Sequence, residues 1–328
     1  MWQRLAVDPV RWCQVRDSLV ISERGAVLDQ IRLPAPIDVA TALRPLLRGS
    51  GDPTMRLEPG AVIRRATRTP DGPATVALEL RRDVVRVTAW GPGAERAIEG
   101  VPALVGLLDD PTPFVPHHAL IAELARRMPA LRLGRTGAVW EVLLPAILEQ
   151  KVTGTEAWRG YRGLVRAHGE PAPGPGGLRV GPPADVVAGL PYHVFHPFGV
   201  ERRRADTVRR AAALAPRLEA AVAQATSGDP APAYQLLRAI PGIGAWTAAE
   251  VGLRAFGDPD AVSVGDFHLK HVVSWALAGE PRGTDERMLE LLEPYRGQRG
   301  RAVRLLELSG ITPPRYGPRL APKRIEAL

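Results

Sequence analysis

The chain reads as an α+β protein: a small antiparallel β-sheet domain with helices at the N-terminus, followed by an all-α core of two helical subdomains. Three observations predict this. Alternating apolar and polar residues over Thr75–Leu80 and Val84–Trp90 give the period of two that a half-buried strand requires. Asp109-Asp110-Pro111-Thr112-Pro113 then breaks the chain, and beyond it apolar residues recur at helical spacing. The boundaries expected are 1–110 for the α+β domain, 111–258 for a first helical unit and 259–328 for a second that packs with 111–140.

In order, Val27–Leu33 predicts a strand, Val39–Leu47 a helix and Gly60–Thr67 a second strand. Thr69-Pro70-Asp71-Gly72 is a turn by composition, and the two alternating strands follow it. A helix over Ala94–Leu108 covers one sheet face. Further helices are predicted over Leu120–Met128, Val139–Gln150, Trp158–His168, Asp185–Leu190, Ala205–Ala223 and Met288–Tyr295. Gly169–Pro183 is rich enough in Gly and Pro to read as an exposed loop, and Thr312–Leu328 as a basic, proline-rich tail.

With 328 residues, 45% of them hydrophobic, the chain can bury a sizeable core. No apolar run approaches the length of a membrane span or signal peptide, so a cytoplasmic location without membrane contact is expected. Cys13 is the only cysteine, which excludes an internal disulfide. A formal charge of +8 fits a polyanionic partner, since phosphate contacts by cations release counterions. Only Lys151, Lys270 and Lys323 of the 43 basic residues are lysines, however, and this arginine bias reflects coding composition as much as function.

The segment Leu236–Lys270 carries the chemistry. Pro230–Ile240 and Gly244–Phe256 read as two helices, the second closed by Gly257, with Pro241-Gly242-Ile243-Gly244 between them. Glycines in that hairpin permit backbone angles closed to other residues and let a phosphate reach the main chain. The N-terminus of the following helix adds unpaired N–H groups and positive dipole. Ile243 anchors the turn to the helices, and Thr247 offers a hydroxyl to the same phosphate. Asp266 follows twenty-two residues beyond Gly244, where a new helix would start. There it can cap that helix, act as a catalytic carboxylate, or do both, with Gly265 leaving the approach open.

The hairpin and this aspartate resemble the helix-hairpin-helix (HhH-GPD) DNA glycosylases, and among them the alkylpurine branch, DNA-3-methyladenine glycosylase II. Ile147–Thr153 is similar to that family's helix end and wedge loop, with Gln150 entering the loop and Lys151 where the family has an apolar wedge. The resemblance implies a monofunctional enzyme of base excision repair, monomeric and nucleoid-associated in a bacterial cytoplasm. It would act on double-stranded DNA, flip out an alkylated purine of the 3-methyladenine or 7-methylguanine type, and leave an abasic site. Asp266 would be catalytic. Some relatives cleave the backbone through a lysine where this chain has Trp246, so base release without lyase activity is expected. Trp246 would instead stack on the base or fill the core. Glu250 and Glu307 stand where the family tends to place aromatic pocket residues; either they attract cationic bases, or, protonated by burial, they read a different base, or they pair with arginines.

Lys270 would meet the DNA backbone or pair with Asp266. Arg202-Arg203-Arg204 and Arg209-Arg210 suit phosphates or a solvated face equally. The pairs His268/His271 and His193/His196 lack further ligands at metal-binding spacing. One cysteine excludes the iron–sulfur cluster of some relatives, so no cofactor is expected, save a monovalent cation on the main-chain carbonyls of Arg238, Ile240 and Ile243. Two alternatives stand beside this reading: a non-catalytic DNA-binding protein with the same hairpin, and a glycosylase for oxidised, deaminated or bulky adducts.

Overall fold

The computed structural model describes residues 20–21, 26–225 and 228–314. Cys13, Lys323 and the tail beyond residue 314 lie outside the described residues. The α+β architecture is as expected. Among the described residues, an antiparallel sheet runs β1 (Val20–Ile21), β2 (Val27–Arg32), β3 (Met55–Glu58), β4 (Val62–Thr69), β5 (Gly72–Leu80) and β6 (Val84–Trp90), in spatial order β1-β2-β6-β5-β4-β3. The β4–β5 hairpin closes at Thr69 and Gly72, where the Thr69 hydroxyl donates to the Gly72 carbonyl at 3.0 Å. Val76, Leu78, Val85 and Val87 face Ile98 and Val101 across the sheet, forming one hydrophobic cluster.

Three departures from the sequence reading have local causes. The helix expected over Ala94–Leu108 breaks into Ala94–Glu99 and Val101–Leu104, because Gly100 ends the first and Pro102 suits only the first turn of the second. The run Ala205–Ala223 divides into Arg202–Ala213 and Ala215–Ala225, with Pro216 unable to continue the first helix. Gly169–Pro183 is not an exposed loop. It forms a ribbon pairing Glu170–Pro171 with Arg179–Val180, whose Leu178 and Val180 are buried against Ala66. Arg179 N–H donates to the Pro53 carbonyl at 2.8 Å, and Arg56 donates to the Gly176 carbonyl at 2.9 Å. Two apolar residues within a glycine-rich stretch thus dock it onto the sheet domain.

The helices surround two further cores. In one, Val139–Leu148 is the central helix, buried except for Glu141, and packs with the hairpin residues Leu237, Ile240 and Ile243. Glu141 leaves this helix toward the sheet, where it accepts from Arg65, Thr67 and the Arg68 backbone. In the other, Ala119–Arg127 packs with Leu269–Ala278, Asp285–Leu292 and Arg299–Ser309. The ion pair of Arg301 with Asp109, with side chains only 3% and 5% exposed, ties the last of these helices to the segment leaving the sheet domain. No helix among the described residues is long and apolar enough to cross a membrane.

Candidate active site

The hairpin lies between helices Ala231–Arg238 and Ala245–Val251, the second continuing through a π-helical turn over Gly252–Phe256 to Gly257, whose left-handed backbone ends it. The π turn sits where Gly252 passes under Tyr234, so closely that a Cβ there would lie 1.8 Å from the phenol oxygen. Tyr234 in turn donates to Asp258 at 2.6 Å, and burial together with that carboxylate pushes its phenol pKa up.

The two hairpin glycines differ. Gly242 has φ +99°, and a Cβ on it would stand 2.1 Å from the Thr207 hydroxyl. Gly244 instead has extended backbone at φ −99°, open to any residue, so the sequence reading overstated its conformational need. A Cβ there would meet nothing within 4 Å: the outer side of the turn is vacant, as the approach of a phosphate requires. Ile243 is buried and closes the turn through its N–H to the Ile240 carbonyl at 3.0 Å.

Gln150 joins the loop after Val139–Leu148 to this hairpin. Its amide nitrogen donates to the Gly242 carbonyl at 3.0 Å and to the Thr247 hydroxyl at 2.8 Å. Thr247 is therefore buried and turned inward, away from the phosphate face that the sequence suggested for it. Lys151, next in the loop, is exposed with φ +55°, a left-handed conformation that costs a side-chain-bearing residue about 1–2 kcal/mol. Of the basic residues on helix Arg202–Ala213, Arg203 is exposed and Arg210 reaches the Pro241 carbonyl at 3.4 Å. Arg204 departs from both expected roles: it is buried, donating to the Leu148 carbonyl at 2.8 Å.

Asp266 meets the hairpin helix directly. Trp246 Nε1–H donates to its Oδ2 at 3.2 Å, while Oδ1 accepts the backbone N–H groups of His268 at 2.7 Å and Leu269 at 2.8 Å. The aspartate thus caps the start of Leu269–Ala278 and still faces a cavity. Lys270 does not pair with it. Its ammonium lies 3.6 Å from Asp285, whose other oxygen accepts the Gly265 N–H at 3.1 Å, so this carboxylate draws the lysine away.

The cavity, about 470 Å³ when the space open to solvent is counted, is bordered by Asp266, Glu250, Glu307, Arg254, Arg304 and the Pro45 turn of the sheet domain. The two sequence-selected glutamates thus share one space with the aspartate, but their surroundings differ. Glu250 is buried, ion-paired with Arg254 and accepting from the Ser263 hydroxyl at 2.5 Å. Arg254 is also held by the Pro45 carbonyl at 3.1 Å. Glu307 keeps 45% of its side chain open and accepts from Arg304 at 3.2 Å. Desolvation raises its pKa, opposed by Arg304. Arg254, Ser263 and Pro45 were not foreseen; only Arg254, one helical turn after Glu250, carried a sequence signal.

The carbonyls considered for a cation include that of Ile240, which already accepts the Ile243 N–H. A donor set of neutral carbonyls fits a weakly held monovalent ion. His271 Nδ1 accepts the Gly283 N–H at 3.1 Å, and His268 lies edge-on to Phe267. Among the described residues, no group of three His, Cys, Asp or Glu side chains can hold a metal.

No family model and no curated protein sequence matches the chain. Solved structures do match in fold. A 3-methyladenine DNA glycosylase from Archaeoglobus fulgidus is 19% identical with TM-score 0.70, over 85% of this chain and 97% of that one. The 8-oxoguanine glycosylase/lyase of Clostridium acetobutylicum, solved with double-stranded DNA containing cytosine opposite 8-oxoguanine, is 13% identical with TM-score 0.67, over 89% and 97%. The overall arrangement of sheet domain and helical core is thus a fold that both of these glycosylases share.

Proposed function

We propose that this chain is a DNA glycosylase of base excision repair that releases alkylated purines from duplex DNA and leaves an abasic site. One observation carries the reading: the Asp266 carboxylate borders an open cavity and is held by Trp246, two residues beyond a hairpin whose outer face is free for phosphate. A carboxylate and a strand anchor are thereby fixed relative to each other, as a flipped nucleotide requires. The cavity opens beside that carboxylate.

Loss of the base builds positive charge on the sugar, and Asp266 would stabilise that charge and orient the attacking water. Alkylation at N3 or N7 makes the purine a cationic leaving group that needs little proton donation. Three carboxyl groups against two guanidinium groups around the cavity favour such a base. Trp246, with its indole spent on Asp266, supplies no amine for a Schiff base, so base release without strand cleavage follows. Lys151, exposed at the loop tip that Gln150 binds to the hairpin, would fill the gap in the duplex, its stem taking up space and its amine reaching phosphate or the orphaned base. Arg203 and Arg210 would add phosphate contacts, and the hairpin carbonyls a monovalent ion.

A panel of duplexes, each with one lesion, tests this. Release of 3-methyladenine and 7-methylguanine, with the strand intact until alkali is added, is the expected result. Activity confined to oxidised or deaminated bases refutes the alkylpurine assignment, and duplex binding with no base release across the panel refutes the enzyme assignment.

A further inference from the structure

The three carboxyl groups around the cavity are not equivalent. Both oxygens of Asp266 are engaged, one by Trp246 and the other by the helix start. Both oxygens of Glu250 are engaged, by Arg254 and Ser263. Glu307 alone has an oxygen to spare: Arg304 donates to Oε2, no hydrogen bond reaches Oε1 among the described residues, and nearly half of the side chain is open. Its place on helix Arg299–Ser309, lining the same cavity as Asp266, gives it access to a base whose sugar lies at the aspartate.

Building on the glycosylase reading, we infer that Glu307 is the specificity-determining residue of this site, reading the hydrogen-bonding edge of the extruded purine and favouring guanine-type over adenine-type lesions. Guanine carries two adjacent donors, N1–H and the exocyclic amino group, which one carboxylate accepts together. Adenine presents one donor, its amino group, beside the N1 lone pair, which repels a carboxylate oxygen. A two-point match of this kind discriminates by roughly tenfold or more. Glu250 instead forms the wall: with Arg254 and the Pro45 carbonyl it fixes the cavity against the sheet domain.

The preference also depends on protonation. The charged groups acting on Glu307 are Arg304, Glu250 and Arg254, with Asp266 on the same cavity wall; the packed part of its side chain is desolvated enough to raise its pKa, opposed by Arg304, while the outer part stays open. A protonated Glu307 has one donor and one acceptor, the complement of adenine's edge. Acidification therefore shifts selection toward adenine-type lesions before ordinary glutamates titrate.

The experiment uses duplex DNA treated with a methylating agent, from which 7-methylguanine and 3-methyladenine are released in one reaction and separated by chromatography. In wild type, the ratio of released guanine to adenine lesions should fall as the buffer is taken from neutral to mildly acidic pH. In Glu307→Gln, which presents one donor and one acceptor to the base edge, 7-methylguanine release should drop roughly tenfold, 3-methyladenine release should rise, and the ratio should be flat with pH. A ratio in wild type that does not respond to pH, or equal losses of both bases in Glu307→Gln, overturns the role of Glu307 alone. Release of neither base by wild type overturns the glycosylase reading and this inference with it.

Discussion

The two hairpin glycines give a prediction that separates folding from DNA binding. In Gly242→Ala, the left-handed backbone costs about 1–2 kcal/mol for a residue with a Cβ. The new methyl group also displaces the Thr207 hydroxyl, which now donates to the Arg203 carbonyl at 2.9 Å; losing that bond adds about 1 kcal/mol. A total near 2–3 kcal/mol should appear as a lowered urea midpoint with unchanged slope. Gly244→Ala has neither problem, since its backbone is extended and its Cβ meets nothing. Its stability should fall by no more than about 1 kcal/mol, the helix-capping difference. Its methyl group, however, occupies the vacant face where a phosphate would approach, forfeiting an interaction of about 1–2 kcal/mol, or roughly 5- to 30-fold in duplex affinity by fluorescence anisotropy. Equal destabilisation by the two substitutions, or undiminished duplex binding by Gly244→Ala, refutes the argument.

Three further predictions follow from the packing. Gln150→Ala removes the link from the loop to Gly242 and Thr247, and should cost about 1–2 kcal/mol in unfolding and weaken duplex binding; because no cation is lost, the salt slope of binding should not change. Asp109→Ala strands the buried guanidinium of Arg301 and should lower unfolding free energy by about 3–5 kcal/mol. Glu219 accepts the N–H groups of Val139 and Trp140 at 2.9 Å, yet burial outweighs these bonds and raises its pKa. Since the folded state holds this proton more tightly than the unfolded chain, its contribution is full below the unfolded pKa and lost as pH rises through the folded one. Denaturant titrations should therefore show Glu219→Gln gaining stability relative to wild type between acidic and neutral pH.

What the sequence disclosed, and what it hid, follows from the range of the forces involved. The hairpin, its glycines and the helix start at Asp266 depend on local backbone chemistry, so Pro241–Gly244 and Asp266 were readable from a few residues each. The four-residue strand Met55–Glu58 was not, because only Met55 is buried and no alternation develops. The ribbon after His168 was concealed by its glycines and prolines; its order comes from Leu178 and Val180 meeting a distant sheet. Similarly, Glu250 and Glu307 looked alike until Ser263, Arg254 and Pro45 were placed around one of them, and the partner of Lys270 lay fifteen positions away at Asp285.

The central claim is that Asp266 performs chemistry beyond shaping the turn, and Asp266→Asn tests it with little structural cost. Asparagine keeps the oxygen that accepts the His268 and Leu269 N–H groups, so the helix start should survive, while its amide nitrogen, a donor, loses the Trp246 N–H bond at a cost of about 1 kcal/mol. Single-turnover base release from methylated duplex should slow by roughly 100-fold or more, while duplex affinity stays near that of wild type and unfolding free energy falls by no more than about 1 kcal/mol. Release at the wild-type rate by this variant would contradict the account.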